Sequence, residues 1–238
     1  MRMTHLPALM YLLALAGVVT PVNAGPLSRL TAQLPDLPAP PQGSVHWIAQ
    51  SMRMNGLPMT LKTFESRLAP AAVFAHYEAI APRWGHSEFR RSRSGTQQRL
   101  SIRAAGHLIT VEAVATVSGS AGTIAVSSSP ERAPATTGSR FPRPATARLV
   151  NLQEYEDDGV ESEHLSFSST RSIAIEAAAF GDTLQRDGWQ ILRQQPMQTS
   201  SRGMVIEAQR GAQLALLTLQ PDRSQPAATA IVIVWRKS

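Results

Sequence analysis

The sequence predicts an α+β protein made of two homologous β-β-α-β-β-β-β modules, each an antiparallel sheet covered by one helix. Three observations predict it. A constant offset of 103 residues carries Asn55-Gly56 to Asp158-Gly159, Phe64 to Phe167, Ser66 to Ser169, Tyr77 to Phe180 and Gly85 to Gly188. Each half holds one apolar stripe of helical period among segments that alternate every second residue. A Ser/Pro/Thr/Ala segment, too poor in apolar residues to supply a core, separates the halves.

The element order follows from local signals. In the first module, residues 45–52 read as a strand. Asn55-Gly56 is a strong hairpin signal, because a type I′ turn needs positive φ at both central residues. Residues 59–64 alternate as a half-buried strand does. Pro70 suits the first helical position, where its missing N–H costs nothing. Val73, Phe74, Tyr77 and Ile80 then make one apolar face, and Pro82 and Gly85 end the helix. Strands are expected at 87–91, 98–104, 107–115 and 123–127, divided by Ser/Gly turns. The second module repeats the plan. Strands at 148–156 and 160–167 flank Asp158-Gly159. Ser172 is placed as the N-cap of a helix with Ile173, Ala177, Phe180 and Leu184 on its apolar stripe. Gly188 ends it, and strands follow at 189–193, 203–208, 213–219 and 229–236.

The domain organisation expected is a signal peptide at 1–24, a Pro-rich tether at 25–43, the first module at 44–127, a linker at 128–146 and the second module at 147–238. Arg2 precedes an apolar run over residues 6–20, and Val22-Asn23-Ala24 places small residues at −3 and −1 of a cleavage site. An uncleaved anchor is the alternative, against which the run is shorter than the roughly 20 apolar residues of a span and contains Pro7. The expected location is therefore exported, periplasmic or secreted, with cleavage after Ala24 and no later transmembrane span. Cysteine is absent, which excludes disulfides and a thiol nucleophile.

A helix with an aromatic in mid-face, a Gly–Trp pair and then a run of strands resembles modules of uncharacterised bacterial envelope proteins. Here those residues are Phe180, Leu184, Gly188 and Trp189, and in the first module Tyr77, Trp84 and Gly85 with the pair reversed. The resemblance implies a place near secretion or pilus machinery and brings no catalytic residues with it.

Charge is unevenly divided. Residues 1–147 hold 14 Lys/Arg and 6 Asp/Glu, a balance of +8; residues 148–238 hold 9 and 11, a balance of −2. A basic half can meet an acidic protein face, anionic lipid or nucleic acid, or simply attract the acidic second half. An exported protein has little occasion to meet nucleic acid, and no exposed aromatics interleave the arginines as single strands require. Two clusters are candidates for binding a partner, with plain solvation as the alternative for each: Arg90, Arg91, Arg93, Arg99 and Arg103 after the first helix, and Glu154, Glu156, Glu161 and Glu163 around the second hairpin.

Chemistry is sparse. His46, His76, His86, His107 and His164 show no i, i+3 or i+4 pair, so no zinc signature exists, and the acidic hairpin lacks the spacing of a calcium loop. No G-x-S-x-G, S-x-x-K, P-loop or dinucleotide fingerprint occurs. Ser118-Gly119-Ser120-Ala121-Gly122 reads as a turn between strands. Trp47, Trp84, Trp189 and Trp235 sit at element ends and read as core. No catalytic, metal or cofactor residues are assigned. The expected function is that of a non-catalytic exported protein acting through contacts with another envelope protein, as an accessory to envelope assembly, pilus or secretion machinery. The alternatives are a small-ligand carrier with its pocket between helix and sheet, and a hydrolase built on His76 or His86.

Overall fold

Alternation of apolar and polar side chains builds twelve strands among the described residues, and backbone pairing joins all of them. A computed structural model describes residues 31, 33–129, 138–157, 159–197, 200–222, 225 and 228–237. The signal segment 1–24, the start of the tether, residues 130–137 of the linker and Asp158 lie outside the described residues. The elements are β1 (Gly43–Met54), β2 (Leu57–Ser66), α1 (Pro70–Ile80), a 3-10 turn (Ala81–Trp84), β3 (Ser87–Ser94), β4 (Gln97–Ala104), β5 (His107–Thr116) and β6 (Gly119–Ser128) in the first half. The second half has β7 (Arg148–Asp157), β8 (Val160–Ser169), α2 (Ile173–Arg186), β9 (Gln190–Met197), β10 (Ser200–Arg210), β11 (Gln213–Pro221) and β12 (Thr229–Arg236).

The expected α+β class is corrected by this arrangement. The protein is mainly β: among the described residues one continuous antiparallel sheet of 12 strands runs in the order β3-β4-β5-β6-β2-β1-β7-β8-β12-β11-β10-β9, and the two helices against it, α1 and α2, are short. The helices have 11 and 14 residues and cannot balance twelve strands. The physical reason for one sheet is the outer edge of β1. It finds the equivalent strand of the other half, β7, and pairs with it antiparallel through Met52–Tyr155, Arg53–Glu154 and Met54–Gln153. Unpaired backbone groups on two strand edges are thereby satisfied. Read inward from either edge, the strands occupy equivalent places in the repeat, so the order has an internal two-fold relation.

Both helices lie on the same face. Cross-strand neighbours share a face. On the first half the row Leu100–Val111–Ile124 runs beneath α1, and on the second the row Leu165–Ile233–Leu217–Ile206 runs beneath α2. The row Pro58–Arg53–Glu154–Glu163–Trp235 crosses the seam on that same face. Each helix buries its stripe: Val73, Phe74, Tyr77 and Ile80 from α1, and Ala177, Phe180 and Leu184 from α2. The two apolar clusters that result have no residue in common. Fully burying a side chain such as Phe64 or Phe180 contributes about 1.5–3 kcal/mol.

Each half is closed by chain that precedes its first strand. Leu37 is buried in the first core, and the Tyr77 hydroxyl donates to the carbonyl of Pro38 at 2.9 Å. That bond explains a tyrosine where the second half has Phe180, since a buried phenol needs a partner. In the second half Phe141 lies against Trp189 and Trp235, with ring centroids 5.5 and 5.4 Å apart. The repeated serines do one job twice: Ser66 accepts from Leu68 N–H and Ser169 from Arg171 N–H, both at 3.1 Å, turning the chain from strand into helix. Ser172 sits at the N-cap position, but its side chain makes no capping bond there.

The Ser118–Gly122 stretch is mostly strand rather than turn, because β6 begins at Gly119. Gly122 faces the core opposite Phe64. A Cβ there would come within 1.8 Å of the Glu112 carbonyl oxygen and 2.9 Å of the Phe64 ring. Substituting Gly122→Ala therefore destabilises the protein by about 3 kcal/mol or more, while Gly138→Ala, which meets nothing within 4 Å, stays within about 0.5 kcal/mol. Urea titration of the two variants distinguishes them.

Glu176 is the anomaly of the second core. It is fully buried in the first turn of α2; one carboxylate oxygen accepts from the Ser169 hydroxyl at 2.6 Å and the other has no partner. The residue 103 positions earlier is Val73, also fully buried. An unsatisfied buried acceptor costs about 1–3 kcal/mol. Glu176→Val is expected to raise the thermal midpoint, measured by circular dichroism; a lower midpoint contradicts this account of the site.

Candidate functional site

The acidic hairpin is assembled across strands and is neutralised from within. Register places Glu154 opposite Glu163 and Glu156 opposite Glu161. Like charges so placed repel. Two cations relieve them. Arg53, across the seam on β1, meets Glu154 at 3.4 Å, and Lys237, beyond β12, meets Glu163 at 2.5 Å and Glu161 at 3.7 Å. Glu163 is almost fully buried and also accepts from the Ser139 hydroxyl. A hollow of about 510 Å³ lies beside these residues, bounded in part by Arg140, Leu152, Arg210 and Trp235. Its charges are of both signs.

The seam has polar support that sequence reasoning missed. Asn55 and Gly56 both have positive φ, 49° and 85°, as the two-residue turn requires. Asn55 also reaches the other half. Its N–H donates to the Leu152 carbonyl at 2.8 Å, and its side-chain oxygen accepts from Leu152 N–H at 2.9 Å. The turn signal that marks Asn55 carries no trace of this second use.

The arginines lie at one end of the sheet. Arg90, Arg91 and Arg93 are on the end strand β3, and Arg99 and Arg103 on β4. The structure does not bring them to the acidic hairpin: β5, β6, β2 and β1 stand between. Arg91 grips Glu78 of α1 with two bonds of 2.8 and 2.7 Å, and this hydrogen-bonded pairing raises its pKa. Arg99 pairs with Glu112 on the neighbouring strand, and Arg93 donates to the Gly95 carbonyl at 3.0 Å. Alternation sends Phe89, Arg91 and Arg93 to the helix side, and Arg90, Arg99 and Arg103 to the other; Phe89 is 45% exposed beside these arginines, against the expectation that no exposed aromatic interleaves them.

Neither α1 nor α2 lies on that other face. In the second half it displays Leu214, Leu216, Val232 and Val234, each 37–43% exposed, with Leu216 and Val234 directly opposite. At the seam the same face carries Tyr155 against His164, ring centroids 4.7 Å apart. Burial raises the pKa of Tyr155 and lowers that of His164. His76 is lowered too, by burial and then by nearby Arg83. His76 and His86 fall on α1 and just before β3. Among the described residues no three His, Asp or Glu side chains are grouped to hold a metal ion. No described helix is long and apolar enough to cross a membrane.

Of the four tryptophans, Trp189 and Trp235 are core, and Trp84 packs at its border. Trp47 departs from that expectation at 43% exposure, its ring 4.1 Å from the ammonium of Lys62. The ammonium is buried and held by Asp36 and the Leu37 carbonyl, so Trp47 serves as a lid on a buried charge.

No protein-family model, curated protein or solved structure matches this chain.

A pH dependence follows from His164. The folded state disfavours its protonated form, and the unfolded chain protonates near 6.5. Below that value the unfolded state binds more protons, so stability is complete above it and falls as pH drops. His164→Phe is expected to flatten the denaturation free energy between about pH 7 and about pH 5 relative to the parent protein. An unchanged slope contradicts the assignment.

Proposed function

We propose that this protein is an exported, non-catalytic binding protein that acts through protein–protein contacts, as an accessory to envelope assembly, pilus or secretion machinery. The observation that carries the reading is the sheet itself. Twelve strands run continuously through both halves, both helices cover one face, and the opposite face carries exposed aliphatic side chains. Extended sheet faces and edges are what protein partners use. Export is supported by the charged and then apolar segment that opens the sequence.

The carrier reading has less behind it. Two hollows among the described residues lie at strand ends and at the charged seam, and no residue of α1 or α2 lines either. The helix–sheet interfaces are filled by Phe74 and Tyr77 in one half and by Phe180 and Leu184 in the other.

Crosslinking the protein in its native envelope, followed by identification of what is held to it, tests the proposal. A stoichiometric envelope component is expected. Recovery of the monomer alone, with a small molecule co-purifying, contradicts it in favour of a carrier.

A further inference from the structure

The two ends of the sheet are equivalent in the repeat but not in construction. β9 is guarded: Pro196 removes a backbone donor, and the pairing of β9 with β10 breaks register twice. Its Arg193 faces Glu207 at 3.8 Å. β3 has no such protection. It pairs with β4 without a register shift from Ser87–Ala104 to Ser94–Gln97, contains no proline, and is exposed at every residue from Glu88 to Ser94. Among the described strands none lies beside its outer edge. A regular edge of this kind leaves alternate N–H and C=O groups free to pair with an added strand.

The side chains of β3 decide what can be added. Arg90, Arg91 and Arg93 stand against one acid, Glu88. Among the described contacts Arg90 has no carboxylate partner, and Arg93 gives a bond only to the Gly95 carbonyl. A second copy of the same edge, paired antiparallel about a local two-fold at Arg90 or at Arg91, sets that arginine opposite itself, an unfavourable pairing. A strand with carboxylates on both faces meets Arg90 on one side and Arg93 on the other.

From this we propose that β3 takes up an acidic extended segment of a partner protein by strand addition, with Arg90 and Arg93 reading its charge from opposite faces of the sheet. The inference rests on the protein-contact reading above and names the surface and the chemistry of the partner.

The probe is an end-blocked peptide that matches β3 in length and sets pairs of adjacent glutamates between pairs of valines, so that both of its faces carry carboxylates. Its controls are the valine–lysine counterpart and a glutamate peptide N-methylated at alternate residues, which keeps the charge and loses backbone donors. Binding is followed by fluorescence anisotropy, and hydrogen exchange of the β3 amides is followed by NMR. The glutamate peptide is expected to bind, to lose about tenfold or more in affinity on N-methylation or in the R90E/R93E variant, and to slow exchange in β3. Arg90→Gln with Arg93→Gln gives a smaller loss in the same direction, and Arg193→Glu at the other edge leaves binding unchanged. Equal affinity of the N-methylated peptide, of the lysine peptide or of a single-stranded oligonucleotide overturns the proposal. A crosslinked envelope partner that still holds R90E/R93E at full strength overturns the edge assignment while leaving the protein-contact reading intact.

Discussion

The antiparallel pairing of β1 with β7 is the constraint on which the architecture depends. Three residue pairs, the Asn55 clamp on Leu152 and the Arg53–Glu154 contact turn two six-stranded sheets into one. Because the joined strands are equivalents, the pairing also fixes the rest. It puts both α1 and α2 on one face and sends the equivalent strands β3 and β9 to opposite ends. Arg53 and Lys237 then become necessary, since the seam and its neighbour hairpin gather four glutamates on strands that face one another in register.

Local signals made the elements legible. Pro70, the Phe180–Leu184 stripe and the Asn55-Gly56 turn each state a local preference, and α1, α2 and the first hairpin occur where those preferences fall. The class was not legible in the same way. Whether β1 ends a sheet or continues into another depends on which strand meets its outer edge, and no residue on β1 encodes that by periodicity. Weighing one helix against each group of strands gave α+β, and the shared sheet makes the protein mainly β. Gly122 misled for a related reason. In sequence it belongs to a run of Ser and Gly that resembles a turn, whereas its role is to let the Phe64 ring and the Glu112 backbone approach across two strands.

Binding residues were legible as charge and illegible as availability. The arginine and glutamate clusters stand out in the sequence, but only the register shows that Glu154, Glu161 and Glu163 have cations supplied by the chain itself, and that Arg91 and Arg99 are tied to Glu78 and Glu112. Arg90 and Arg93 differ from these neighbours in having no carboxylate partner among the described contacts. The two edges are equivalent in the repeat, but one carries Pro196 and shifts of register while the other pairs regularly.

Two apolar cores without a common side chain, tied by three residue pairs, also set how the molecule comes apart. Cooperativity between halves depends on the free energy of their contact relative to the stability of each. Here that contact is narrow and largely polar, and each half keeps its own helix, sheet and closing segment. Loss of packing in one half therefore need not propagate to the other. The seam, rather than either core, therefore sets how far unfolding that begins in one half extends into the other.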